Sequence, residues 1–312
     1  MATDARRPRV LVGLCGSVAC VKGPEIVNKL ARVADVRIVR TSAALKFQEA
    51  TERYDSANAT ALREAVNNMR LVGYTDQDEW NYGSVRDDPV LHIELRKWAD
   101  LFLIAPLSAN TLGKLANGIC DNLLTCVARA WDVDKPLVLA PAMNTHMWDH
   151  PLTSKQLAQL VGFGATVIDP VVKTLACSDT GSGALATVDN ICAKVLELLG
   201  LSPDAINEEA LEPSCAFRAR EFTPRDKMQV SKLFASLMGV ETRDWEPCPD
   251  FDMKLALLSR ELEPQAVLVD KVLIDPATQF VQAFSATTFQ NGTKRPLFVG
   301  FPNAKELLGM KA

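Results

Sequence analysis

Short apolar runs recur along the first two thirds of the chain. Arg9-Val-Leu-Val-Gly-Leu14, Val36-Arg-Ile-Val39, Leu101-Phe-Leu-Ile-Ala105 and Leu137-Val-Leu-Ala140 stand out, and Ala165-Thr-Val-Ile168 is a weaker fifth. Runs of this length with little polar alternation fit strands that are covered on both faces. Between them the apolar spacing lengthens to that of a helix. Ile26, Val27 and Leu30 share one face of Pro24–Val33, and helical patterns also cover Ser108–Ala116 and Leu123–Ala130. Alternating strands and helices predict a doubly wound parallel α/β sheet over residues 9–199.

Residues 48–88 interrupt the rhythm. They are polar and irregular, with Asp76-Gln-Asp-Glu79 and Arg86-Asp-Asp-Pro89. The pattern predicts an excursion, partly helical around Ala59–Met69, with the next helix starting near Pro89. The character changes again after Leu201. Leu201–Pro213 is acidic and carries two prolines, so it reads as a linker. Beyond it, Pro224–Met238 reads as a helix with Pro224 at its first position. Gln265–Ile274 reads as a strand, and Phe280–Phe289 with Leu297–Phe301 as a hairpin turned at Asn291-Gly292. The expected organisation is one domain over 1–200, a linker over 201–213 and a small α+β extension over 214–312.

Composition narrows the classes. Apolar residues make 48% and charged residues 23%, the profile of a globular protein. A net charge of −4 leaves no basic footprint for nucleic acid. No apolar run is long enough for a membrane span, and the first residues lack the apolar core of a secretory signal. The eight cysteines form no C-x-x-C pair, and only three histidines are present, so no zinc site is expected. Most of the cysteines lie in apolar stretches, where a reduced thiol packs as a small hydrophobe. A reducing, cytoplasmic setting fits best.

Candidate chemistry gathers where the predicted strands end, the edge at which open α/β sheets bind ligands. Gly13-Leu-Cys-Gly-Ser17 closes the first strand, and Gly16-Ser17 at a strand-to-helix turn suits a phosphate group. Ser108, Asn110 and Thr111 cluster where the third apolar run meets a helix, and such residues are natural helix caps. Pro141-Ala-Met-Asn-Thr-His-Met-Trp148 follows the fourth run, with Asn144 placed either to cap a helix or to donate an amide to a carboxylate. His92 lies beside the Leu91, Leu95 and Trp98 stripe of a short helix, where packing is the ordinary role of a histidine. In Leu175-Ala-Cys-Ser-Asp-Thr-Gly-Ser-Gly-Ala-Leu-Ala186, the glycines and small polar residues predict a mobile loop. Cys177 has the most polar surroundings of the eight thiols there.

These motifs together resemble the FMN-dependent cysteine decarboxylase family. Its P-x-M-N-x-x-M-W signature matches at every fixed position from Pro141 to Trp148. Its S-A-N-T…K…G-x-x-D-N-L-L pattern matches from Ser108 to Leu124, and its V-L-H-I-x-L context matches around His92. The resemblance spans about residues 9–199 and implies the flavodoxin/Rossmann-like form of the α/β fold. It implies that FMN is held by Gly16 and Ser17, by the hydroxyl-bearing turn Thr41-Ser42 with Phe47 beyond it, and by Ser108, Asn110 and Thr111. It implies His92, Asn144 and Cys177 as catalytic residues. Asn144, Met147, Ala176, Cys177, Ser178 and Asp179 are then substrate-binding. No metal is implied.

The implied reaction is decarboxylation of 4′-phosphopantothenoylcysteine to 4′-phosphopantetheine, a step of coenzyme A biosynthesis. A carboxylate leaves as CO2 only if the carbanion has an electron sink, and cysteine offers none. Two-electron oxidation by FMN gives a thioaldehyde whose C=S group is that sink, and return of the electrons after CO2 is lost leaves no net redox change. Cys177 is the implied proton donor, His92 moves a proton at the oxidation step and Asn144 holds the carboxylate. The family also implies a homotrimer with FMN at subunit interfaces. Two residues depart from its loop pattern A-C-G-D-x-G-x-G-x-M: Ser178 replaces a glycine and Leu185 a methionine. They keep open a relative's activity, decarboxylation of a C-terminal peptide cysteine. A regulatory binding role on the same fold, as in phosphatase-inhibiting relatives, is a further alternative. Residues 214–312 show no nucleotide-binding glycine signature, so their expected role is structural or regulatory.

Overall fold

The computed structural model describes residues 6–67, 71–80, 90–174, 180–202, 205–206, 218–221, 230, 267–274, 281–290 and 293–299. The chain divides into two compact units. One is built on residues 1–66, 70–78 and 92–214, and the other on 215–312 with short pieces at 67–69 and 79–91.

The first unit runs β1 (Arg9–Leu14), a 3-10 turn (Val18–Lys22), α1 (Gly23–Leu30), β2 (Asp35–Arg40), α2 (Ser42–Leu45), α3 (Gln48–Tyr54), α4 (Ser56–Asn67) and β3 (Val72–Tyr74). It continues through α5 (Asp76–Glu79), α6 (Leu91–Trp98), β4 (Leu101–Leu107), α7 (Ala109–Ala116), α8 (Leu123–Arg129) and β5 (Leu137–Pro141). It ends with α9 (Thr145–Trp148), α10 (Pro151–Gly162), β6 (Ala165–Val167), β7 (Val171–Thr174), β8 (Thr180–Ala184) and α11 (Val188–Leu198).

The predicted doubly wound sheet is present. Six strands lie in the order β3-β2-β1-β4-β5-β6, and every pairing between them is parallel. From β1 the chain winds outward to β2 and β3, then returns to β4 on the other side and winds out to β6. The crevice between β1 and β4 is therefore the topological switch point, the place where such sheets bind ligands.

Side-chain alternation explains why both faces must be covered. Val10, Val12 and Leu14 of β1 and Leu101, Leu103 and Ala105 of β4 join one cluster with residues of α1 and α11. On the opposite face, Phe102 meets Trp131 with ring centroids 5.4 Å apart. There the fully buried Arg37 places its guanidinium 4.3 Å from the ring centroid of Trp98, on α6. Burying one such aliphatic side chain contributes about 2 kcal/mol, against at most about 1 kcal/mol for an exposed ion pair. Packing on both faces therefore fixes the strands.

The structure corrects two expectations. The 48–88 excursion contains a sixth strand, β3, paired to β2 at Arg37↔Val72, Ile38↔Gly73 and Val39↔Tyr74. Three residues are too few to show a period in sequence. The helix expected at 59–69 is α4, which starts at Ser56. The glycine-rich stretch 175–186, expected as one mobile loop, holds strand β8, which forms an antiparallel ribbon with β7. Residues 175–179 themselves lie outside the described residues.

In the second unit, β9 (Arg218–Glu221), β10 (Val267–Ile274), β11 (Val281–Gln290) and β12 (Thr293–Val299) form a four-stranded antiparallel sheet in the order β12-β11-β10-β9. The strand expected at 265–274 is β10. The hairpin pairs Gln290 with Thr293, so its second strand starts at Thr293 rather than Leu297. The Asn291-Gly292 turn and, Val230 apart, the helix expected at 224–238 lie outside the described residues. Among the described residues, no helix is long and apolar enough to cross a membrane, and no cluster of side chains could hold a metal ion.

Candidate active site

Two turns leave the sheet side by side after β1 and β2. Leu14 pairs with Arg40, so both strands end at the same level. The Leu14 carbonyl accepts the Thr41 N–H at 3.1 Å and the Thr41 hydroxyl at 3.5 Å. Thr41 is buried and caps α2, accepting the Ala44 N–H at 3.2 Å. A Cβ on Gly16 would stand 2.4 Å from the Ala43 Cβ, so only glycine lets the two turns touch. Ser42 is exposed, and its hydroxyl makes no hydrogen bond among the described residues. Phe47 is partly buried against the core beneath this turn.

The third turn follows β4. Ser108 caps α7 by accepting the Thr111 N–H at 3.3 Å, and the two hydroxyls lie 3.2 Å apart. Both residues are buried, whereas Asn110 is exposed and makes no side-chain hydrogen bond among the described residues. Burial pushes the Cys15 thiol up to about 11, against the opposing hydrogen bonds to the Thr111 side chain and the Ser108 backbone. Cys15 is therefore a neutral packing thiol between the first and third turns. The rest of this motif has a mechanical reading. Lys114 pairs with Asp121 at 2.7 Å, and Asn122 caps α8 in a box with Thr125. Asp76 adds a third constraint, accepting the Leu123 N–H at 3.0 Å. Asp76 was not singled out from sequence, because only the β3 pairing brings it beside α8.

The fourth turn follows β5. The Ala142 N–H donates to Leu107 at 3.0 Å, and the Ala142 carbonyl accepts the Ser17 hydroxyl at 3.1 Å. Ser17 thereby ties the turn after β1 to the turn after β5. Its oxygen also accepts the Ala19 N–H at 3.4 Å. Asn144 caps α9, with Oδ1 accepting the His146 N–H at 2.8 Å, so the capping role expected of it is real. Met147 is half exposed at this end. His92 stands on a different element, in the first turn of α6. Of the expected catalytic and substrate residues, Ala176, Cys177, Ser178 and Asp179 lie outside the described residues. Leu185 is only 3% exposed and belongs to the core cluster, so the Met-to-Leu departure falls in packing rather than in the site.

The β7–β8 ribbon is seated on this fourth turn. The Gly183 carbonyl accepts the Met143 N–H at 2.9 Å. The ladder shifts register between Val171 and Lys173, leaving an extra residue on β8, and Gly183 has φ +114 there. A β-bulge at such an angle favours glycine. A Cβ on Gly183 would also stand 2.6 Å from the Met143 carbonyl. A separate cavity of about 550 Å³ opens at the other end of β5, lined by Ile119, Trp131, Leu137 and Phe163. None of the sequence-predicted site residues lines it.

Turns converging at the switch point of a 3-2-1-4-5-6 sheet define a nucleotide- or flavin-binding class of α/β protein. The chain belongs to the Flavoprotein family, whose model matches residues 1–200. It is 50% identical over 199 residues to the phosphopantothenoylcysteine decarboxylase of Mus musculus, covering 63% of this chain and 90% of that protein. Among solved structures, it is similar to a cysteine-to-serine mutant of PPC decarboxylase complexed with pantothenoylaminoethenethiol. That likeness has a TM-score of 0.56 and 45% identity, covering 62% of this chain and all 100% of the other. It is also similar to the FMN binding protein AtHal3, with a TM-score of 0.54 and 46% identity over 62% of this chain and 98% of that one.

Proposed function

We propose that the chain is an FMN-dependent decarboxylase that converts 4′-phosphopantothenoylcysteine to 4′-phosphopantetheine and CO2. The observation that carries this reading is the Ser17–Ala142 hydrogen bond, which joins a phosphate-type turn to the Asn144 turn across the switch point. The family and its decarboxylase relatives point to the same chemistry.

The residues present fit FMN. Gly16 lets the turns after β1 and β2 pack in contact, and Ser42 and Asn110 present exposed polar side chains at two of the turns. Gly16, Ser17, Thr41 and Ser42 would hold the phosphate end, and Phe47, Ser108, Asn110 and Thr111 the remainder. Bound there, FMN supplies a reversible two-electron oxidant for the substrate's thiol carbon.

The chain's own groups do the rest. Asn144 is fixed by its bond to the His146 N–H and offers a neutral amide to the substrate carboxylate. A cation there would hold the carboxylate back from leaving, and an amide does not. Met147 flanks that position, and Ala176, Ser178 and Asp179 would add substrate-binding groups. His92 takes a proton at the oxidation step, and Cys177 returns one to the enethiolate carbon after CO2 departs. A relative with cysteine changed to serine holds an aminoethenethiol. That capture supports a cysteine completing the last proton transfer. His92 lies on α6 rather than on the site's turns, and the family resemblance is what suggests a homotrimer with FMN at its subunit interfaces. Cytoplasmic work on this small-molecule substrate, without nucleic acid or membrane, completes the reading.

Purified protein is expected to be yellow and to release CO2 from 4′-phosphopantothenoylcysteine. Cys177→Ser should keep the flavin and stall at the enethiol. A colourless protein that does not take up FMN would sink the proposal. The Ser178 departure favours one other reading, a C-terminal peptide cysteine as substrate, and competition between the two substrates decides between them.

A further inference from the structure

We propose that Thr145 and Gly181 form a fitted pair that sets the height of the β7–β8 ribbon over the Asn144 turn. Through the ribbon, the pair sets how tightly the substrate is held against Asn144. The inference rests on the decarboxylase reading and makes both residues positioning residues for it.

Three observations carry it. First, the ribbon is already bonded to this turn through the Met143 N–H and the Gly183 carbonyl at 2.9 Å, so its base is fixed one residue before Asn144. Second, two residues along β8 the contact changes from backbone to side chain. A Cβ on Gly181 would stand 2.6 Å from Thr145 Cγ2 and 2.7 Å from Thr145 Oγ1. Real Cβ atoms do not approach so closely, so any larger residue must lift the ribbon or displace Thr145. Gly181 carries no positive φ, so the space taken by Thr145, rather than backbone angle, is what requires glycine there. Third, Thr145 Oγ1 is buried and makes no hydrogen bond among the described residues. A buried hydroxyl left without a partner is unfavourable. It is nonetheless packed against Gly181, where an added Cβ would meet both its methyl and its hydroxyl.

Thr145 is also a helical residue of α9, directly after the Asn144 cap. Its position is therefore set by the same hydrogen bond that orients Asn144. The pair couples the residue proposed to hold the carboxylate to the strand leading out of residues 175–179. The cofactor side meets this turn at another residue, through the Ser17 hydroxyl and the Ala142 carbonyl, and shares neither the Thr145–Gly181 contact nor the Met143–Gly183 bond.

A mutant cycle on the full-length FMN-loaded protein tests this with three readouts: KM, flavin affinity, and the rate of tryptic cleavage after Lys173 in β7. Gly181→Ala should raise KM about tenfold with little change in kcat, the signature of weakened ground-state binding. It should also speed cleavage after Lys173 and leave the FMN dissociation constant unchanged. Thr145→Ala alone loosens the seat without a clash and should raise KM about threefold. Gly181→Ala combined with Thr145→Ala should return KM and cleavage to the level of Thr145→Ala alone, because the added methyl then occupies the vacated space. If Gly181→Ala yields no folded flavoprotein, the double variant must recover one. The inference is overturned if Gly181→Ala behaves as wild type, or if the double variant is no better than Gly181→Ala. If the unaltered protein does not turn over the substrate, the functional reading fails, and the cleavage rates alone still judge the pair.

Discussion

On the β2 and β4 side of the carboxyl edge, each turn carries a short-range cap. Thr41 caps Ala44, Ser108 caps Thr111, and each bond spans three residues. On the β5 side, the Asn144 turn is held from a distance, by Ser17 and by a glycine ribbon that returns some forty residues later. Short-range caps fold with their own helix and tolerate conservative change. Long-range seating depends on space left between segments that meet only in the folded chain. The side proposed to hold FMN should therefore be robust, and the side proposed to grip the substrate should be fragile.

The sharpest division of the two sides is at Asn144. Asn144→Asp keeps a good N-cap but sets a charge against the substrate carboxylate. Like charges in contact cost several kcal/mol, so kcat/KM should fall about a hundredfold or more. Flavin content and melting temperature should hold. Normal turnover by this variant would reduce Asn144 to a cap. Gly183→Ala comes next. It forces a side chain into a positive φ and against the Met143 carbonyl. A loss of about 2 kcal/mol in substrate binding, roughly thirtyfold in KM, is expected with FMN retained. Loss of FMN instead would show that the two sides are not separable.

Gly16→Ala probes the other side. Overpacking against Ala43 typically costs about 1–3 kcal/mol, and flavin fluorescence titration should show FMN bound about tenfold more weakly. Ala43→Gly in the same chain should restore it. Ser108→Ala removes one cap, worth about 1 kcal/mol, and should lower the melting temperature by about 3 °C.

The smallest effect is expected at the amino edge of the sheet, remote from both sides. Arg6 donates to both oxygens of Asp100 at 2.7 Å, and the Arg9 N–H adds a third bond at 2.9 Å. Burial alone would raise the Asp100 carboxyl, but these partners outweigh it and hold it below its ordinary value. A carboxylate with a depressed folded value stabilises the protein above its unfolded value. That contribution is lost as pH falls through the folded one. Solvent screens the pair, so Asp100→Asn should cost about 0.5 kcal/mol at neutral pH. It should also flatten the acid limb of a stability–pH curve below the ordinary carboxylate range. Any change in flavin or substrate affinity would contradict the separation of the edges.

Much of the sheet was legible because its strands are buried on both faces and so are written as continuous apolar runs. The caps at Ser108 and Asn144 were legible because a cap is a local event with a local residue preference. β3 was hidden: Val72-Gly-Tyr74 is too short for a pattern, and its pairing with Arg37–Val39 supplies the evidence that sequence lacks. The glycines at 181 and 183 were visible and expected in a loop, and the structure places them in strand β8. They mark close approach, to Thr145 and to Met143. Lys114, Asp121 and Asn122 matched a family pattern, yet their bonds serve helix geometry.

The sequence by itself determined the fold class, the turns that carry polar groups and the family to which the chain belongs. Each depends on residues close together along the chain. The tertiary structure decided which turns touch, that Ser17 reaches Ala142, and that Gly181 must be small because Thr145 is there. Those facts depend on distances between segments far apart in sequence, which exist only once packing on both faces of the sheet has fixed the strands.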